Sequence, residues 1–224
     1  MDLNKSFEFF NPNQDTARCH ILGCGSVGST VAENLVRCGV TNLTLWDFDK
    51  VESKNIVNQM FRDEDIGRLK TEALKDILVS INPDAERSIR LKSEGWKDEM
   101  LSGYIFLAVD SIELRKKILT QHMVSPFVKA VFDFRTLLES AQHFAADWSD
   151  LKQREKLLKT MNFTDEEAEE STPVSACGMT LGVATTVRLV SALGVDNYIN
   201  FIKGRPLKRT VLVDGFNFTL QAFE

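Results

Sequence analysis

Residues 17–28 read A-R-C-H-I-L-G-C-G-S-V-G, and this stretch decides the fold. Cys19 to Leu22 is a short apolar run of strand length. Gly23, Gly25 and Gly28 follow at G-x-G-x-x-G spacing. Val27, Val31 and Leu35 then recur at helical spacing, and Gly39 supplies a stop. Strand, glycine turn and helix in this order read as the opening of a nucleotide-binding βαβ unit, with a tight packing turn that holds no ligand as the alternative. The first glycine permits the tight turn, the second removes a Cβ where a nucleotide approaches, and the third lets helix and strand pack closely. The helix N-terminus that follows offers unpaired amides and a positive dipole end to a phosphate, and Ser26 is a candidate contact with the three glycines.

The pattern continues outward from the loop. Leu43 to Trp46 reads as a second strand ending at Asp47, close to the ~20-residue offset at which a Rossmann acid meets ribose hydroxyls. A turn or capping aspartate is the alternative there. Leu69, Ala73, Ile77 and Ile81 form one stripe, so a helix is predicted over 69–81, closed by Asn82-Pro83. Tyr104 to Val109 is a nearly continuous apolar run, as in a strand buried on both faces, and it ends at Asp110. A helix over 112–122 and a strand over 128–132 follow. The expected fold is α/β: a Rossmann-like, mostly parallel sheet with helices on both faces.

The second half is less regular. The sequence predicts an exposed helix over 150–161, an acidic solvated face at 165–170, and an apolar helix over 177–193 that is buried or covered by a second subunit. Gly178 and Gly182 would permit close approach there. Antiparallel strands toward the C-terminus are expected as a hairpin, 210–213 and 216–220, around Asp214-Gly215. The first sixteen residues are polar apart from Phe7, Phe9 and Phe10 and read as an arm.

Composition narrows the function classes. Hydrophobic residues make up 43% of the 224, enough for a sizeable core. A net charge of -5 argues against a nucleic-acid footprint. Neither a signal-like h-region nor a membrane-length apolar run is seen, so a cytoplasmic protein with no membrane role is expected. Cys19, Cys24, Cys38 and Cys177 form no C-x-x-C pair, so a cysteine zinc site is not expected. His20, His122 and His143 lack metal spacing and read as structural.

Residues 43–59, L-T-L-W-D-F-D-K-V-E-S-K-N-I-V-N-Q, resemble the ThiF/MoeB/ubiquitin-activating superfamily. There the second strand ends in D-x-D-x-V and an N-L-x-R-Q-like segment follows. A lysine comes about a dozen residues later, here Lys70, and then an aspartate with an arginine five residues on, here Asp110 and Arg115. The resemblance runs from about Ala17 to Phe132. It implies one adenylation domain over 1–224: an arm at 1–16, a nucleotide-binding half at 17–133, and a partner and dimer half at 134–224. It also implies ATP and Mg²⁺. Asp47 would hold the ribose, Asp49 and Asn55 would shape the phosphate site, Lys70 would contact phosphate, and Asp110 would hold the metal. Lysine, metal and helix amides together suit the charge that develops when a carboxylate attacks an α-phosphate.

Some positions depart from the family. Asn58 stands where the family carries a phosphate-binding arginine. Arg62 would substitute if the segment between them is helical. The paired C-x-x-C knuckles of many relatives are absent from the 224 residues. Cys177 reads either as a thioester or persulfide cysteine or as a small buried residue. Arg135, with Asp133 in F-D-F-R, reads either as a contact for an incoming carboxylate or phosphate or as half of a pair bracing a loop. Cys24 reads as a spacer.

The expected function is ATP-dependent adenylyl transfer to a C-terminal carboxylate, giving an acyl-adenylate and pyrophosphate. The expected partner is a ubiquitin-like or ThiS/MoaD-like protein ending in Gly-Gly, or a peptide, and the expected assembly is a homodimer. Two other readings stand beside it: an NAD(P)-binding oxidoreductase, and a non-catalytic scaffold subunit of an activating enzyme.

Overall fold

The computed structural model describes residues 1–171 and 181–224. Five parallel strands form first: β1 (Cys19–Leu22), β2 (Leu43–Trp46), β3 (Arg90–Lys92), β4 (Gly103–Leu107) and β5 (Val128–Thr136). Three antiparallel strands extend them: β6 (Ser140–Asp147), β7 (Thr210–Asp214) and β8 (Thr219–Phe223). The order across the eight-stranded sheet is β3-β2-β1-β4-β5-β6-β7-β8. Among the described residues the helices are α1 (Ser26–Arg37), α2 (Lys70–Ile81), α3 (Ile112–His122), α4 (Leu151–Lys159), α5 (Asp165–Ser171) and α6 (Ala184–Ile202). The Rossmann-like expectation is met, including the antiparallel C-terminal strands.

Alternation along the strands divides the core between the two faces of the sheet. Ile21, Leu45, Phe106 and Phe132 pack with Val31, Leu35, Leu74 and Val190 on the face of α1, α2 and α6. Leu22, Trp46, Leu107 and Val131 pack with Ile118, Leu119 and Leu157 on the face of α3 and α4. Helix α1 ends as expected at Gly39, which has a φ of 88°. Its amide donates to Val36 and the next amide, of Val40, donates to Leu35, satisfying carbonyls the helix leaves over. The N-terminal arm packs here: a Cβ at Gly39 would lie 2.6 Å from Leu3, and Phe10 is buried.

Several elements differ from expectation. β5 runs to Thr136, because β6 pairs along it as far as Thr136↔Ala141. Asp133 and Arg135 therefore lie within a strand rather than after one. β6 was not legible: its inward residues Ala141, His143 and Ala145 have no strong strand preference. β3 is a three-residue edge strand. The apolar helix α6 runs from Ala184 to Ile202, with Val195, Tyr198 and Ile199 buried beyond Leu193. A Cβ at its Gly194 would lie 2.1 Å from the Phe134 ring, so glycine there lets α6 cross close to β5. Cys177 and Gly178, singled out in the sequence, lie outside the described residues. Among the described residues no helix is long and apolar enough to cross a membrane.

The strand order reverses between β1 and β4. β2 and β3 lie to one side of β1, and β4 and β5 lie to the other. Open α/β sheets bind ligands in the crevice beyond the carboxyl ends of the strands at such a switch point. Leu22, Trp46, Leu107 and Asp133 lie in one row across the sheet. The glycine loop, Asp47 and Asp110 all emerge just past that row.

Candidate active site

A cleft of about 1120 Å³ opens at this edge. Gly23, Gly25, Ser26, Asp47, Asp49, Asn55, Asn58, Lys70 and Asp110 all line it. Residues 23–110 are thus brought to one cavity by three strand ends.

The glycine loop is shaped by close contacts on two sides and open space on the third. Gly23 has a φ of 90°, and a Cβ on it would meet the Ala108 carbonyl at 2.7 Å. A Cβ at Gly28 would meet the Gly23 carbonyl at 1.8 Å. At Gly25 a Cβ would meet nothing within 4 Å. The two outer glycines are therefore required by packing, and the middle one keeps space clear in the cleft. Gly25 caps α1 without a side-chain hydrogen bond, and no acidic residue occupies the first turn. The first amides of α1 are left for a ligand, and an anion is the ligand they favour.

Asp47 anchors the loop. Its Oδ2 accepts from the Cys24 amide at 2.7 Å and its Oδ1 from the Asp49 amide at 2.8 Å. Burial raises its carboxyl above the ordinary aspartate value, against those two hydrogen bonds. Each oxygen keeps a lone pair for a further donor such as a ribose hydroxyl. Cys24 is buried, and burial pushes its thiol well up, as suits a spacer rather than a nucleophile.

Lys70, the first residue of α2, is buried and reaches Asp49 Oδ2 with its Nζ at 2.8 Å. Asn55 Oδ1 accepts from the Glu52 amide at 2.8 Å, which turns the 52–55 segment along the cleft wall. Asn58 is packed against the backbone of Gly182, where a Cβ would come within 2.4 Å of Asn58 Nδ2. Asp110 is exposed, and among the described residues it has neither a hydrogen bond nor an ion pair. A free carboxylate on a cleft wall fits a hard divalent cation, which takes oxygen ligands.

The condition set for Arg62 is not met. Residues 56–60 run through turns and bends, no helix follows before Arg62, and Arg62 itself is extended. Its Nη1 pairs with Glu64 at 2.9 Å on the surface, and it does not line the cleft.

The cleft continues beyond the glycine loop and Asp110 to β5, β6 and β7. Phe134, Arg135, Thr136, Ser140, Gln142 and Leu212 line this further lobe. The Asp133 carboxylate, fully buried, lies between two guanidiniums. Arg135 donates its Nε to Asp133 at 2.8 Å and its two Nη atoms to Thr160 at 2.8 and 2.7 Å. Arg115 donates to Asp133, to the Val109 carbonyl and, at 2.7 Å, to the Phe134 carbonyl. Arg135 thus braces the strand end while still lining the cleft, a combination that the sequence posed as alternatives.

The three histidines act as struts. His20 bridges Ser102 and Trp46, His122 bridges Ile118 and Leu101, and His143 bridges Asp133 and Asn197. The acidic run forms α5, with one exception to its solvated face. Asp165 accepts from Ser111 Oγ at 2.7 Å and from the Ile112 amide at 2.5 Å, capping α3 just after Asp110.

Sequence reasoning missed the far lobe of the cleft. Thr136, Gln142 and Leu212 sit on three adjacent strands and share no motif. Only the register Arg135↔Gln142↔Leu212 places them together. It also missed Phe48, Lys54, Trp96 and Lys97 on the glycine-loop side, which line the cleft without a recognisable signature.

The chain is similar to known proteins in sequence and in fold. A family model described as "ThiF family" matches residues 12–224. Ubiquitin-like modifier-activating enzyme 5 of Caenorhabditis elegans is 44% identical over 66 residues, 30% of this chain and 16% of that protein. The Dictyostelium discoideum protein of that name is 47% identical over 66 residues, 30% of this chain and 17% of that one. These matches span about a sixth of the relatives' length. Among solved structures, E. coli MccB with ATP superposes with a TM-score of 0.68 at 18% identity, covering 94% of this chain and 65% of MccB. PaaA superposes with a TM-score of 0.72 at 17% identity, covering 100% and 68%. At such identities the likeness is one of fold.

Proposed function

The chain belongs to the ThiF family, and from that membership and the cleft we propose that it is an adenylyltransferase using ATP to activate a terminal carboxylate. The observation that carries this reading is the placing of the open α1 N-terminus, Lys70 and the unpaired Asp110 on one cleft with room beyond them. At about 1120 Å³ the cleft exceeds the ~1,000 Å³ upper range of pockets that hold a single small ligand. The lobe around Arg135 and Gln142 is the place for a second substrate.

In the proposed reaction a carboxylate oxygen forms a bond to the α-phosphorus of ATP. The bond from that phosphorus to the bridging oxygen breaks, and pyrophosphate leaves with the electron pair. No proton needs removal, because a carboxylate is ionised at neutral pH. The protein's part is to hold the reactants in line and to meet charge where it accumulates. The α1 amides and Lys70 would face the phosphate oxygens, and Asp47 would fix the ribose. Mg²⁺, when bound, neutralises charge on the phosphate oxygens, and Asp110 is the residue that would hold it. Asn55 and Asn58 would shape the wall beside the phosphates.

For the second substrate we favour the C-terminal tail of a ubiquitin-like or ThiS/MoaD-like protein, or a peptide. The relatives are named for ubiquitin-like modifier activation, and E. coli MccB has been solved together with MccA. Exposed Leu189 on α6 and Leu220 and Phe223 on β8 offer apolar surface for a second copy, supporting a homodimer. The test is isotope exchange between labelled pyrophosphate and ATP in the presence of candidate tails. Exchange that needs both Mg²⁺ and a tail with a free carboxylate is the expected result. Tight NAD binding without metal, and no exchange with any tail, would overturn the proposal.

A further inference from the structure

Asp110 has no hydrogen bond among the described residues, so the backbone that carries it alone sets where its Cα–Cβ bond points. That backbone is gripped from below by Arg115. The guanidinium is buried, and its Nε donates to the Val109 carbonyl at 2.8 Å, joined there by Nη2. The Val109 carbonyl and the Asp110 amide belong to a single planar peptide unit. Holding the carbonyl therefore holds the plane from which Asp110 hangs. The remaining Nη1 reaches Asp133 and, at 2.7 Å, the Phe134 carbonyl, so the loop after β4 is locked to β5. Asp133 has its other oxygen on Arg135 Nε at 2.8 Å and cannot turn away.

This is a costly arrangement for stability alone. A buried ion pair is often matched or bettered by well-packed apolar residues. The planar fork of arginine serves three acceptors in fixed directions, which a lysine cannot do.

We propose that Arg115 is a positioning residue that aims the Asp110 carboxylate into the cleft, acting through the Val109–Asp110 peptide with Asp133 as its anchor. The inference rests on the adenylyl-transfer reading, in which Asp110 faces a divalent cation beside the nucleotide.

The test is Mn²⁺ binding to the full chain with a non-hydrolysable ATP analogue, read by electron paramagnetic resonance of the free ion. Arg115→Lys is expected to weaken Mn²⁺ binding about tenfold or more, as loss of partners behind a metal ligand does. Affinity for the analogue without metal and the circular dichroism spectrum should match wild type. Should Arg115→Lys fail to fold, Asp133→Asn takes its place, with Mn²⁺ binding expected several-fold weaker. Wild-type Mn²⁺ affinity in a folded Arg115→Lys or Asp133→Asn, with Asp110→Asn defective, would overturn the positioning role and leave the functional reading standing. Should wild type bind no Mn²⁺ with the analogue, the functional reading itself falls.

Discussion

Lys70 Nζ lies 2.8 Å from Asp49 Oδ2, and the Lys70 amide donates to the Asp49 carbonyl at 2.9 Å. The first turn of α2 is thereby tied twice to the segment leaving β2. The lysine is 7% exposed, whereas the Asp49 side chain is 51% exposed. An ammonium is held in place at the cleft wall by a partner that water can take over. In the proposed reaction phosphate oxygens would compete with Asp49 for this ammonium.

Replacing Lys70 by alanine should therefore damage activity far more than stability. Loss of a charge-stabilising donor is expected to cost about 100-fold in kcat/KM for pyrophosphate exchange. The melting temperature should move by only a few degrees, because an ion pair with a half-exposed partner contributes about 1 kcal/mol or less. Exchange kinetics beside a thermal melt would check both halves, and a large drop in melting temperature with normal kinetics would contradict the assignment.

The glycines should separate packing from binding. Gly28→Ala places a methyl 1.8 Å from the Gly23 carbonyl and is expected to destabilise by roughly 3 kcal/mol. Gly25→Ala meets nothing within 4 Å and sits at a φ of -74°, so its stability should change by about 0.5 kcal/mol or less. Its ATP affinity should nevertheless fall about tenfold or more, since the methyl occupies space the nucleotide needs. Calorimetric titration of both variants with ATP distinguishes the two roles; unchanged ATP affinity in Gly25→Ala would mean that the nucleotide lies elsewhere.

Arg62→Ala should be nearly silent. The guanidinium pairs with Glu64 on the surface, and such pairs contribute about 0.2–1 kcal/mol. ATP affinity within about twofold of wild type is expected. A severe loss would show that the 56–62 segment rearranges on binding.

Acid should destabilise the fold through its histidines. Burial lowers both His20 and His143 from 6.5 to about 4. Between those values the unfolded chain binds more protons than the folded one, so stability rises with pH. The contribution is fully present above about 6.5 and is lost as pH falls toward 4. Burial also raises Asp47 and Asp196, which act in the opposite sense from the ordinary carboxylate value upward, but the shifts of His20 and His143, from 6.5 to about 4, are the large ones and set the sign. Melting temperatures measured from pH 7 down to 4 should fall steadily, and His143→Gln should flatten the slope. A flat profile in wild type would mean that the histidines are solvated.

Much of the glycine-loop side of the cleft was legible from residue order. Gly23, Gly25, Gly28, Asp47, Lys70 and Asp110 each sit at the end of an element whose apolar period is clear. An element's end, once located, says where its next residue goes. Arg62 misled because its usefulness depended on a local conformation. The choice between a helical turn and an extended bend at 56–62 is made by packing of the loop, not by propensity.

Residues 17–28 settle from local chemistry alone that a strand, a tight turn and a helix follow one another, since the φ of 90° at Gly23 and the close approach of Gly28 to the Gly23 carbonyl both suit glycine. Periodicity and turn residues act over a few neighbours, so they suffice for that much. Which side chains share the far lobe with Arg135, and how Arg115 grips the peptide before Asp110, was decided by tertiary structure. Those partners lie on strands and helices whose register is set by burial across the whole sheet, a constraint that no local window of sequence contains.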